Sequence, residues 1–104
     1  NFNESNLQDA DFSRANMSNS HLRKANLQFA KLIGTDLEGA NLAGADLRGA
    51  DLTDSSLIGS SFCEFDGQGR AVLGARIDST TTLPRQILEP LTPDQREYFL
   101  AQFD

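Results

Sequence analysis

The chain has 104 residues, fifteen Asp and Glu against nine Lys and Arg, a formal net charge of −6, one His, one Cys and no Trp. One small domain is what that length allows, and the acidic balance argues against direct binding to nucleic acid or anionic membrane, which need basic patches. A single Cys excludes an intrachain disulfide and a cysteine-based zinc site, and no run approaches the ~20 apolar residues of a membrane span.

From the N-terminus the sequence is periodic. Every fifth residue from Phe2 is large and apolar: Phe2, Leu7, Phe12, Met17, Leu22, Leu27, Leu32, Leu37, Leu42, Leu47, Leu52, Leu57 and Phe62. Two residues before each of the last twelve stands Ala, Ser or Thr, from Ser5 to Ser60. The residue between is Asn or Asp at nine of thirteen sites, with His21, Lys31, Ser56 and Ser61 as exceptions. Gly falls two residues after the large site at positions 34, 39, 44, 49 and 59.

A period of five fits no standard element. On an α-helix it turns the side chain by about 140° at each step, so the leucines bury no common face. On one strand it sends successive leucines to opposite faces. The five residues are therefore a structural unit: a short extended piece, with the small residue and the leucine on one side and the Asn or Asp pointing away, then a turn. Repetition in one sense winds the chain into a coil with the leucines inside.

The run Ala40-Asn41-Leu42-Ala43-Gly44, Ala45-Asp46-Leu47-Arg48-Gly49, Ala50-Asp51-Leu52-Thr53-Asp54 resembles the pentapeptide-repeat family, A(D/N)LXX. The resemblance covers residues 1–62, with an echo at Ala75-Arg76-Ile77, and implies an all-β solenoid, a right-handed quadrilateral β-helix with four pentads per coil. About four coils are expected. Residues twenty apart then stack, giving inner columns Phe2/Leu22/Leu42/Phe62, Leu7/Leu27/Leu47, Phe12/Leu32/Leu52 and Met17/Leu37/Leu57. Phe2, Phe12, Met17 and Phe62 fall in the end coils and are expected to plug the core. Outside, Lys31 lies between Asp11 and Asp51, and Lys24 stacks on Glu4, as weak surface charge ladders.

Residues 63–74 break the pattern. Val72 and Ile77 return to the five-residue frame, which predicts inner sites of a further coil with a bulged side; a loop outside the coil is the rival reading. The tail changes character. A short helical turn is expected at about 84–89, ended by Pro90, then a helix over about 93–103 with Thr92 as N-cap and Pro93 in its first turn. Its apolar residues are Phe99, Leu100 and Phe103, with the Tyr98 hydroxyl at the rim. The expected division is a β-helix over 1–82 and a C-terminal helical cap over 83–104, because an open solenoid end exposes core and backbone.

No catalytic constellation emerges, and the expectation is that the protein is not an enzyme. His21 and Cys63 fall on one side of the coil two coils apart, about 10 Å by strand spacing, too far for a nucleophile and base. The Asp residues point outward without converging, so no metal is expected, and no Gly-rich phosphate loop or other cofactor site is present. The outward apolar residues Phe29, Ile33 and Ile58 form the candidate interaction surface, the first two near one corner and Ile58 on another side.

The function expected is a non-catalytic scaffold that binds another protein, as the resemblance implies, without direct nucleic-acid contact or membrane insertion. The alternative, also implied by the resemblance, is an acidic DNA mimic that binds DNA gyrase. Residues 1–62 carry eight acids and five bases, a weak charge for that role, and four coils span only about 20 Å. A monomer is expected, with dimerisation through the C-terminal helix as the other reading. The opening Asn-Phe-Asn in place of Met leads to the expectation of a removed upstream segment. The cytoplasm is the first expectation for location, with the periplasm and thylakoid lumen as alternatives.

Overall fold

The computed structural model of the chain describes residues 1–83 and 92–101, with backbone only for Phe99 and Leu100. Its dominant feature is a ladder of single-residue parallel bridges with a step of twenty: Asn6 to Asn26, Asp11 to Lys31, Asn16 to Asp36, His21 to Asn41, and onward to Asn41 with Ser61. Four pentads close one turn, which is the spacing expected from the stacked columns.

Each pentad uses its backbone in the same way. The leucine N–H and the N–H two residues later donate to the next coil, as Leu27 does to Asp46 (2.8 Å) and Phe29 to Arg48 (3.1 Å). The Asn/Asp position donates back to the previous coil, as Asp46 does to Ala25 (2.9 Å). A turn bond closes the unit, as from Ala30 N–H to the Leu27 carbonyl (3.1 Å). Strand-like pairing is thus spread along four short sides rather than gathered into long strands.

The inner columns are dry. Leu22, Leu27, Leu32, Leu37, Leu42, Leu47 and Leu52 are fully buried, and each contributes about 1.5–3 kcal/mol of transfer free energy. Small residues fill the gaps between them, and hydroxyls among them bond backbone carbonyls of their own turn or of the coil before. Thr35 donates to Phe12 (2.9 Å), Ser55 to Leu52 and Ser60 to Leu57 (both 2.7 Å). At the first coil Met17 is buried, whereas Phe2 is 37% exposed with its ring 6.1 Å from that of Phe12.

The Asn/Asp between small residue and leucine does more than face outward. Its side-chain oxygen accepts the N–H two residues on, at Asn6, Asp11, Asn16, Asn26, Asp36, Asn41, Asp46 and Asp51. This Asx turn pre-forms the corner. At His21, which has no such oxygen, the Arg23 N–H turns instead to Asn3 Oδ1 of the coil before (2.9 Å).

Every corner from residue 4 to residue 59 has positive φ. Glu4, Asp9, Arg14, Asn19, Lys24, Phe29 and Asp54 adopt it with a side chain, and glycine serves the other corners of the repeat. Glycine does two jobs at position 49. It takes φ +77° without strain, and it leaves room for the Phe29 ring, which a Cβ there would strike.

The 63–74 segment is neither a bulged coil side nor a plain loop. It is an antiparallel hairpin of β1, Cys63–Phe65, and β2, Ala71–Gly74. The coil resumes beyond it, for Asp46 pairs with Arg76 and Asp51 with Thr82. Ile77 returns to the core as expected, but Val72 does not: it lies on the hairpin and is 60% exposed. The helix α1 spans Pro93–Ala101, with Gln95 N–H donating to Thr92 Oγ1 (3.3 Å). The expected turn at 84–89, the side chains of Phe99 and Leu100, and Phe103 lie outside the described residues.

Candidate interaction surface

The repeat fixes where each outward side chain goes. Phe29 stands at the corner after Leu27, 54% exposed, its ring lying across Gly49 of the next coil. Ile33 is half-buried, one residue before the following corner at Gly34, and Ile58 is 58% exposed beyond Leu57. The three therefore sit on successive sides of the coil rather than in one patch, and Phe29 and Ile33 belong to different corners.

The irregular end of the molecule gathers more. The hairpin is fastened to the coil by Arg23, whose Nε and Nη2 donate to Glu64 Oε2 and Oε1 (2.7 and 3.2 Å). Hydrogen bonding to Arg23 holds the Glu64 carboxyl below its usual value and raises the guanidinium pKa in turn. Leu73 lies against Gly44 and the Lys24 stem, so a Cβ at Gly44 would collide with it. Asp46 binds Arg48 (2.6 Å) and faces Arg76 (3.8 Å); the hydrogen bond from Arg48 is the main reason its carboxyl lies below the ordinary range.

Helix α1 reaches this end through two side chains. The buried Gln95 carboxamide accepts from Phe62 N–H and donates to the Cys63 carbonyl, both at 2.7 Å. In earlier coils the equivalent N–H groups of Leu22 and Leu42 donate to the next coil, at Asn41 and Ser61. Towards the Phe62 N–H the side-chain oxygen of Gln95 thus stands where earlier coils have a carbonyl of the next coil. Tyr98 donates its hydroxyl to the Ala75 carbonyl (2.7 Å), and burial raises its pKa. Between hairpin and helix lies an open cleft of ≈ 260 Å³ with Phe65, Ala71, Tyr98 and Ala101 among its apolar lining and Asp94 and Glu97 on its helical wall.

The expected distance between His21 and Cys63 is matched by a difference in setting. His21 is exposed, while Cys63 is buried, which pushes its thiol pKa up, away from a reactive thiolate. Among the described residues no cluster of His, Cys, Asp and Glu could hold a metal ion, and no helix is long and apolar enough to cross a membrane. The hairpin and its cleft were missed by sequence reasoning. Their available signal was Asp66-Gly67-Gln68-Gly69 between two short apolar stretches, a hairpin-turn composition.

A parallel β-solenoid of five-residue units is the class these features define. The pattern of pentapeptide repeats matches in eight copies over residues 1–39 and 30–66, and the chain belongs to the pentapeptide-repeat family. Proteins of this family form right-handed β-helices. Among solved structures it is similar to the pentapeptide repeat protein Rfr23 of the cyanobacterium Cyanothece 51142, at 32% identity over 77% of this chain and 54% of that one, with a TM-score of 0.51. It is also similar to HetL of Nostoc sp. strain PCC 7120, involved in heterocyst differentiation regulation, at 26% identity over 79% of this chain and 40% of that one (TM-score 0.45). A third is QnrB1, a plasmid-mediated fluoroquinolone resistance protein, at 24% identity over 72% of this chain and 38% of that one (TM-score 0.40). The chain spans about half the length of Rfr23 (54%) and less of the other two. No curated protein matches it by sequence.

Proposed function

We propose that the protein is a non-catalytic scaffold that binds another protein through the hairpin–helix end of its solenoid. The observation that carries this reading is the cleft between the hairpin and α1, which combines an apolar lining with an exposed neighbour, Val72. A rigid coil holds the two walls at fixed separation, which lowers the ordering cost of binding. The reading divides the chain into about four coils over 1–82, interrupted by the hairpin, and a helical cap over 83–104. It takes the cytoplasm as the working location.

The test is capture from a lysate of the native host with the intact chain and with an Ala71→Arg, Val72→Ser variant. Both substituted positions are exposed, so stability should change by no more than about 0.5 kcal/mol. Loss of the same protein bands from the variant is the expected result; identical bands from both chains would move the contact elsewhere, with Phe29, Ile33 and Ile58 next to be changed. The gyrase-mimic alternative is separated by a supercoiling assay, in which this reading expects no inhibition at micromolar excess.

A further inference from the structure

Helix α1 uses one face on the coil and turns another to the hairpin. Gln95 points into the solenoid, where its carboxamide bonds Phe62 and Cys63. Asp94, Glu97, Tyr98 and Ala101 stand three or four residues apart, which puts them on one side of the helix, and all four line the cleft with Phe65 and Ala71 of the hairpin. Both carboxylates are exposed. Among the described residues neither has an ion-pair partner. No Lys, Arg or His lines the cleft, and Arg70, between the two strands, is held by Asp66 (3.1 Å).

That lining selects a chemistry. The cleft measures ≈ 260 Å³, short of the ~300–1,000 Å³ typical of sites that enclose a small molecule, so a single side chain is the unit that fits. The rings of Phe65 and Tyr98 favour a planar group, and two carboxylates without a counter-charge favour a cation. A guanidinium meets both conditions: it stacks on aromatic faces, is weakly hydrated, and donates in pairs to carboxylates. A lysine ammonium is more strongly hydrated and has no plane to stack.

We infer that the cleft is a docking site for an arginine side chain carried by the partner protein. The inference rests on the scaffold reading and names the chemistry of what that end receives. The walls are set before the ligand arrives. The Tyr98 hydroxyl is held by the Ala75 carbonyl (2.7 Å), Phe65 is paired with Ala71 across the hairpin, and Arg23 ties Glu64 of β1 to the coil (2.7 Å). Little ordering therefore remains for binding to impose. The net charge of −6 adds long-range attraction for a basic segment.

NMR titration of the full 104-residue chain with the capped tripeptide acetyl-Gly-Arg-Gly-amide tests this. Saturable shifts are expected at the amides of Phe65, Ala71, Tyr98 and Ala101, in the millimolar range and weakened by salt. The same peptide with citrulline for arginine keeps the shape without the charge, and should bind about tenfold more weakly; the lysine peptide should bind about threefold more weakly or worse. Asp94→Asn combined with Glu97→Gln should weaken the arginine peptide by about tenfold, with a thermal melt to check folding. No saturation at these amides overturns the inference, as does a citrulline or lysine peptide that binds equally well, or a folded double variant that binds unchanged. Lysate capture separates the two readings. Bands lost by the Ala71→Arg, Val72→Ser variant but kept by the Asp94→Asn, Glu97→Gln variant leave the scaffold standing and overturn the arginine assignment; bands kept by both remove the scaffold reading at this end and the inference with it.

Discussion

Replacing Gln95 should reveal how much of the stability of this solenoid depends on one side chain that imitates a backbone. Its carboxamide satisfies one donor and one acceptor of the last regular pentad, and it is 9% exposed. Gln95→Ala removes the bonds to the Phe62 N–H and the Cys63 carbonyl under the helix. At about 1–3 kcal/mol for each group that loses its buried bond, the loss is about 2–6 kcal/mol if α1 stays in place. Should α1 lift away, water reaches both groups and the loss is limited to the free energy of docking the helix. Gln95→Glu separates the two bonds. A carboxylate can accept from Phe62 but cannot donate to Cys63, and it opposes that carbonyl with a second negative oxygen. It should be at least as damaging as Ala at pH 7. Protonation restores the donor, and burial against the Cys63 carbonyl raises the folded-state pKa of this Glu above the unfolded value of about 4.3, so the Glu variant should regain stability relative to the Ala variant as pH falls from neutral towards about 4 and gain no more below it. Urea unfolding followed by circular dichroism measures all three chains. A change under about 0.5 kcal/mol for Gln95→Ala would refute the account, and so would a Glu variant with no pH dependence relative to Ala.

Two further outcomes are expected. Gly49→Ala should cost about 1–3 kcal/mol, since it places a side chain at φ +77° and drives a Cβ into the Phe29 ring; in the Phe29→Ala background the collision is gone and only the backbone strain remains, so a double-mutant cycle by urea unfolding should show positive coupling. Glu64→Gln should lower stability at neutral pH and not at low pH: the folded carboxyl lies below its usual value through Arg23, so its contribution is present above the unfolded pKa and is lost as pH falls through the folded one. Melts of both chains from pH 7 to about pH 2.5 should converge at the acid end, and the pH 7 difference should shrink in high salt.

Much of the coil is legible in the sequence because the leucine column and the small-residue column report the same physical unit twice. The step of twenty follows once four pentads make a turn, and Thr92 and Pro93 mark the start of α1 by capping chemistry. The hairpin was not legible for an arithmetical reason. Its insertion moves the partner of Asp46 from the expected position 66 to Arg76, a shift of ten, and ten is two whole pentads. Val72 and Ile77 both stay in frame, although only Ile77 reaches the core. The Asx role of Asn and Asp was hidden differently: a polar residue facing outward and a polar residue holding a turn have the same one-letter pattern. The scattering of Phe29, Ile33 and Ile58 over three sides reflects corner positions that periodicity alone does not weigh.

The manner in which the coil closes behind the hairpin makes that segment a detachable part. Ala75 N–H donates to the Phe62 carbonyl at 2.7 Å, the same bond that runs from Ala45 to Leu42 and from Ala50 to Leu47 (both 3.0 Å) in uninterrupted pentads. The chain leaves and re-enters the solenoid across a single ordinary turn. Joining Phe62 directly to Leu73 would give Phe62-Leu73-Gly74-Ala75-Arg76-Ile77, a pentad with glycine at its corner, a small residue next and an apolar residue inside. Excision of 63–72 removes the Glu64 anchor, the hairpin wall of the cleft and the Cys63 carbonyl that Gln95 bonds, and leaves the Phe62–Ala75 turn to close the coil. The solenoid therefore works as a socket, in which the length and content of what hangs from this corner can vary while the frame resumes in register at Arg76, one residue being added only further on, where Asp51 pairs with Thr82.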